Sequence, residues 1–433
     1  MIRKFSDMFE ITELRQRIIF TVALLIVYRI GSHITTPGVD VSALADFFAR
    51  GAGGVLGLYD YFVGGNLSNA TIFALGIMPN ISASIILQLL QPVIPFLERM
   101  AKEGEEGRRK INQYTRYLTV GLAIFQAFGI SIFLEQLGVV SHPGFGFRLL
   151  TMITMTAGTI FVMWLGEQIT ERGIGNGISL IIFIGIIARF PIDVQNTVRA
   201  VFTAHTLNIF VGVFLLAMMI AVTALTILMT QGQRRIPVQY ARRIVGRKML
   251  MGRSTHLPLR INTAGVIPII FAQSIIVLPS SIAEFMRGNQ FAQDLSFILR
   301  PGGPVYTILY IVTILFFTYF YTAIVFNPMD IAENMRKNGG FIPGIRAGKS
   351  TAEFIDRVLS RITLPGAIFL AFIAVLPDLL IRKAGVPFYF GGTGLLIVVG
   401  VALDTLQQIE SHLLMRHYDG FLKKGRLRGR SGF

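Results

Sequence analysis

One stretch constrains this chain more than any other: residues 64–91, GGNLSNATIFALGIMPNISASIILQLLQ. It begins like a helix that is too short and too polar to cross a bilayer. It breaks at Gly76 and Pro79, then continues from Ile81 to Leu90 as a run able to span. A transmembrane helix needs about 20 mostly apolar residues. Gly-rich, irregular backbone at membrane depth is tolerated only where protein or a water-filled cavity surrounds it. The stretch therefore reads as a half-inserted segment followed by a full span. The small and polar face of that span, Ser82, Ser84 and Gln88, is expected to look inward. Together the two parts make the wall and stopper of a pore.

Composition agrees with a membrane solvent. Of 433 residues 53% are hydrophobic and only 15% charged, against roughly 25% charged in soluble domains. The apolar runs are apolar all round rather than on one face, which excludes an ordinary soluble protein. The net charge of +16 has two readings. One is the basic bias of cytoplasmic loops and attraction to anionic lipid. The other is a docking surface for an acidic or nucleic-acid-rich partner. There is no Cys, so disulfides and thiolate metal sites are excluded. The amphipathic N-terminus, residues 1–17, reads as an interfacial helix. No small-residue cleavage site follows it, so no removable signal peptide is expected.

Hydropathy places ten spans, near residues 18–34, 77–97, 118–137, 149–168, 178–190, 207–230, 264–283, 305–326, 362–381 and 392–409. The basic segments are the N-terminus, 98–117, 231–262, 327–361 and the tail 412–433. The alternate loops are poor in bases: 35–70 holds only Arg50, and 191–206 only Arg199. The positive-inside rule then puts both termini in the cytoplasm. Five spans per half reverse the orientation of the second half, the arithmetic of an inverted repeat. The expected division is an amphipathic N-terminus (1–17), a first half (18–190), a second half (191–411) and a basic tail (412–433).

No catalytic constellation is present. The six His residues are scattered over span ends and loops. GIRAGKS resembles a phosphate loop, but the first Gly of that motif falls on Pro343 and no strand is expected before it. Charges inside spans mark ion or proton paths, and here they are few. Arg29, Glu135 and Glu167 lie near span ends, where they can snorkel. Asp404 in span ten reads as an interhelical hydrogen-bond partner. The spans offer isoleucine instead. Ile81 and Ile85 share one helix face, as do Ile182 and Ile186. Lipid-facing isoleucine is common; the sharper alternative is an apolar ring that closes a pore by dewetting.

Six segments carry a family resemblance: ATIFALGIMPNISASIILQLL (70–90), EGRRKINQYTRY (106–117), WLGEQITERGIGNGIS (164–179), STHLPLRIN (254–262), FNPMDIAENMRKNGGFIPGIRAG (326–348) and PFYFGGTGLLIVV (387–399). In order and spacing they resemble the SecY family, the pore subunit of the Sec protein-conducting channel. Ala347 departs from the pattern, where members often carry Pro.

The resemblance implies an all-α integral membrane protein. Its ten transmembrane helices form two inverted five-helix halves around a central hourglass pore. It implies a pore ring of Ile81, Ile85, Ile182, Ile186, Ile275 and Ile397, with Ile275 contested by adjacent Ile276. It implies a plug over about 55–72, with Gly57, Leu58, Tyr59, Gly64, Gly65 and Asn66. A lateral gate between spans two and seven would involve Ser84, Gln88, Gln126 and Gln273. Partner docking would fall to Arg242, Arg243, Arg247, Lys248, Arg346 and Lys349. The implied partners are SecE and SecG subunits, the SecA motor ATPase, the ribosome, signal peptides and nascent chains, anionic lipid and a second copy of the chain. No cofactor or metal is implied, and the implied location is the bacterial inner membrane. A solute transporter and a lipid-interacting scaffold are the competing readings. The first lacks midplane charges, and the second has no use for the broken segment before span two.

Overall fold

Apolar runs free of internal breakers become uninterrupted helices, and most of this chain is helical. The computed structural model describes residues 11–49, 54–203, 208–240, 243–245, 248–250, 254–285, 290–300, 302–384 and 392–424. The chain divides into two compact units: Met1–Pro191 with Glu284–Met286 and Val401–Phe433, and Ile192–Ala283 with Arg287–Gly400.

The first unit opens with α1 (Thr12–Gly31) and the short helices α2 (Val41–Ala49) and α3 (Gly54–Val63). Residues 64–77, expected to begin like a helix, are instead a series of turns with positive φ at Gly64, Gly65, Ala70 and Gly76. Then come α4 (Met78–Leu90), α5 (Pro95–Lys102), α6 (Glu105–Gln136), α7 (Phe145–Arg172) and α8 (Gly177–Phe202), the last running on into the second unit. α6 packs along α4 and α7, and α7 also carries α1. The α6–α7 pair is clamped by charge at both ends. Arg116 donates two parallel hydrogen bonds to Glu167, at 2.8 and 2.9 Å. Arg148 reaches Glu135 at 2.6 Å, and the Gly144 N–H donates to the same carboxylate at 2.9 Å. Both acids lie near span ends, and each finds a fork-shaped partner on the neighbouring helix.

The predicted span 77–97 is not one helix. α4 ends after 13 residues, and α5 leaves at 98°. Thirteen residues rise about 20 Å, short of a hydrocarbon core of about 30 Å. Pro92 and Pro95 explain the break: each lacks an N–H for the helix ladder, and Pro95 also pushes its predecessor out of the helical region. Ile94, before Pro95, is extended at φ −96°, ψ 112°. Pro79 breaks nothing, since it sits in the first turn of α4, where a missing N–H is harmless.

The second unit holds α9 (Ile209–Gln231), α10 (Ile267–Phe285), α11 (Gln290–Ile298), α12 (Pro304–Val325), α13 (Pro328–Lys337) and α14 (Lys349–Ala384). α15 (Gly392–Lys424) begins here and ends in the first unit. Seven described helices are long and apolar enough to cross a membrane, or eight if α4 and α5 are one bent span. α1 and α10 occupy the positions of the first and seventh predicted spans.

The helical fold carries one small sheet that the sequence did not announce. The two basic segments 231–262 and 327–361 build a sheet. β1 (Gln233–Tyr240) pairs antiparallel with β4 (Ser254–Arg260), Ile236 opposite Leu257. It also pairs with β5 (Gly340–Phe341), Tyr240 opposite Gly340. β2 (Arg243–Val245) and β3 (Lys248–Leu250) form the tip hairpin. Alternate residues of β1, Ile236 and Val238, turn inward, as a period-two strand requires. They meet Leu259, Met335, Ile342, Ile355 and Val358 in one apolar core. Pro237 is tolerated because β5 pairs only at 239 and 240, leaving β1 a free edge beside the proline.

Candidate functional site: a closed segment against a helix of isoleucines

The expected plug, residues 55–72, and the turns that follow it to 77 are folded rather than loose. α3 presents Leu56, Tyr59, Phe62 and Val63 inward. The chain then doubles back through Gly64 and Gly65, at φ +76° and +84°. These left-handed values favour Gly, because a Cβ would crowd the backbone. Asn66 closes the turn: its Nδ2 donates to the Val63 carbonyl at 2.7 Å and to the Tyr28 hydroxyl at 3.1 Å. The Tyr59 hydroxyl donates to the Leu75 carbonyl at 2.8 Å, tying the helix to the far end of the turns.

Three neighbours hold this segment. The Phe73 ring lies against Gly31 of α1 and stacks on Tyr28 at 5.7 Å. The Ile72 carbonyl sits on Gly158 of α7, where any side chain would collide with it. Gly64 lies on Gly185 of α8, and a Cβ at 64 would stand 2.7 Å from the Gly185 Cα. Gly185 is flanked along that helix by Ile182 and Ile186, each 4% exposed. The plug candidate therefore touches, backbone on backbone, the helix that carries two of the ring candidates.

The segment also carries a buried charge. Asp60 is 2% exposed. One carboxylate oxygen accepts the backbone N–H groups of Leu67 and Ser68, both at 2.9 Å. The other accepts from Arg189 of α8 at 2.7 Å. Sequence reasoning missed both residues. The signal was present: Asp60 is the single charge in 51–69, and Arg189 the single charge in 177–191.

The other predicted residues sit as follows. Ile81 and Ile85 are buried on one face of α4, and Ile397 is buried on α15. Ile275 is 37% exposed whereas Ile276 is 3% exposed. Gly57 and Leu58 belong to α3. Ser84 donates to Asn80 at 3.3 Å, and Gln88 is half-buried. Gln126 of α6 and Gln273 of α10 are buried, and Gln126 Oε1 and Gln273 Nε2 find no hydrogen-bond partner among the described residues. Arg346 and Lys349 are exposed beside the β1–β4–β5 sheet, with the Arg346 carbonyl accepting from Thr351 at 2.8 Å. Arg243 and Lys248 belong to β2 and β3. Arg242 and Arg247 lie outside the described residues.

Comparison with known proteins decides the family. The family model described as SecY matches residues 71–406. The chain belongs to the SecY family. It is 48% identical to the protein translocase subunit SecY of Escherichia coli K12 over 424 residues, covering 96% of each chain. It is 46% identical to the Thermotoga maritima counterpart over 439 residues, covering 99% of this chain and 100% of that one. A solved SecY channel, described for a plug domain that stabilises its closed state, shares the fold at TM-score 0.65 and 18% identity, over 96% of this chain and 95% of that one. SecY membership makes the protein a multi-pass membrane subunit of a protein translocation channel, not an enzyme in its own right.

Proposed function

We propose that this SecY-family subunit passes unfolded secretory polypeptides across the bacterial inner membrane. Signal and transmembrane helices leave sideways, between α4 and α10. Ile81, Ile85, Ile182, Ile186, Ile397 and one residue at 275 or 276 form the ring, and residues 55–72 form the plug on the exterior side. The division is into two inverted halves, residues 18–190 and 191–411, with both termini cytoplasmic. Branched apolar side chains can surround an extended chain of any sequence without hydrogen-bonding it, while offering ions no polar path.

The observation that carries this reading is Gly64 seated on Gly185, between Ile182 and Ile186. A short, irregular segment stops against the helix whose isoleucines were expected to line a passage. The exposed bases of the sheet that joins the two loops, with Arg346 beside it, suit phosphate or acidic partners. SecA or the ribosome would dock there and supply the driving energy, and SecE and SecG would complete the channel.

The chain has no Cys, so one cysteine at Ile85 reports cleanly. A secretory chain carrying one cysteine is stalled in membranes and disulfide cross-linking is scored. A cross-link that requires a functional signal sequence is expected. No cross-link, with solute uptake in proteoliposomes, would replace this reading with a transporter.

A further inference from the structure

The plug reading supposes that residues 55–72 leave the passage when a polypeptide enters. A Gly-rich segment held by weak apolar contact would do so readily, but this one carries a charge that has to be dealt with. The geometry points to Asp60 and Arg189 as a latch: an ion pair that holds the segment shut against α8 and must separate for it to leave. The inference rests on the plug reading and adds to it the group that sets how hard the plug is to move.

Four observations carry it. Asp60 is almost fully buried, so its charge is stabilised by partners rather than by water. Two of those partners, the Leu67 and Ser68 N–H groups, belong to the segment itself and would travel with it. The third, Arg189, belongs to α8 and would stay behind. Arg189 meets Asp60 through Nη1 alone, so this side of the carboxylate has one attachment to break. The pair also lies one helical turn beyond the Gly64–Gly185 contact, since Arg189 follows Gly185 by four residues on the same face. Shape and charge thus fasten the same turn to the same helix.

The sign of the effect follows. Separation leaves Asp60 with its two local N–H donors and exposes both charges to water or to a passing chain. Removing the Arg189 charge removes an attraction present only in the shut form, so the open form gains population. The Asp60 carboxylate keeps the turn itself folded through Leu67 and Ser68, so the segment would move as a body rather than unravel.

The test uses the assembled complex in planar bilayers, with no substrate present. Arg189→Gln is expected to raise the frequency of spontaneous openings about tenfold or more, the effect of losing one charge-assisted hydrogen bond. Arg189→Lys, which preserves a single cationic donor, is expected to stay near the parent. Asp60→Asn is expected to raise openings too, and Asp60→Asn with Arg189→Gln is expected to open no more often than the worse single variant, because the two act through one contact. Should Arg189→Gln fail to accumulate, Asp60→Asn against Arg189→Lys reads the same relationship. Deletion of residues 60–69 separates the two ideas. If deletion raises conductance while Arg189→Gln does not, the latch is overturned and the plug stands. If deletion leaves conductance unchanged, the plug reading itself falls. Strictly additive effects of the two substitutions would also overturn the latch.

Discussion

Gly64 and Gly185 touch backbone to backbone: a side chain at 64 would meet the Gly185 Cα at 2.7 Å and its carbonyl oxygen at 2.8 Å. No rotamer relieves such a clash, because both obstacles belong to the helix backbone. Gly64 also holds φ at +76°, which costs a residue with a Cβ about 1–2 kcal/mol before any collision. Gly64→Ala is therefore expected to lift the turn off α8. Faster hydrogen exchange at the Leu67 and Ser68 amides, together with a higher resting ion conductance, would report it. Wild-type protection at those amides would show that the contact is not tight.

The ring makes a separate prediction. Ile85→Asn or Ile397→Asn places a hydrogen-bonding amide where the parent has a fully buried branched alkyl group. Water would enter and carry ions. Planar-bilayer conductance is expected to rise in each variant, and an unchanged baseline at both positions would remove them from the ring.

At the β1–β4–β5 sheet, charge and fold can be separated. Arg346 is exposed, and among the described residues only its carbonyl has a partner shown, Thr351. Arg346→Glu is expected to impair SecA-driven export while the protein inserts and melts as before. Ile355, by contrast, is fully buried in the core beneath the sheet. Ile355→Ala is expected to cost about 2–5 kcal/mol through the cavity it leaves, visible as a lowered melting temperature. Normal export by Arg346→Glu would argue against docking at this tip.

Gln273 offers a stabilising change. Its buried Nε2 has no partner among the described residues, and such a group costs about 1–3 kcal/mol. Gln273→Leu is expected to raise thermal stability and to tighten the demand for a strong signal sequence. A clear fall in melting temperature would mean that Nε2 is satisfied by something other than this chain.

Much of this was legible in the sequence, for reasons specific to each element. All-round apolar runs report helices directly, so α9 and α12 begin within two residues of the predicted spans. The motif-bearing segments gave the family because they are long and ordered. What hydropathy misread were places where polar residues continue a helix. Glu105–Tyr117 looked like loop, yet it forms the first three turns of α6, stabilised there by acids at its N-terminus. The sheet escaped for a related reason. Its strands carry Arg and Pro, which read as loop, and its core closes only when 236, 259, 342 and 355 come together. Those contacts span more than a hundred residues and leave no local periodicity. The Asp60–Arg189 pair is the same kind of case, with partners 129 positions apart.

α14 runs unbroken for 36 residues, from Lys349 to Ala384, a rod of about 54 Å. Its first two turns supply Ile355 to the sheet core, and its middle carries Pro365 and Gly366. Gly366 lies against the Ile261 carbonyl, at the foot of the hairpin. The surface beside Arg346 is therefore not hung from the membrane on a tether. A partner that tilts the sheet also tilts the rod rooted in it, with a fulcrum at Gly366. Leverage of this kind lets a push on the sheet reach the buried face formed by Ala367, Leu370, Ala371 and Ala374.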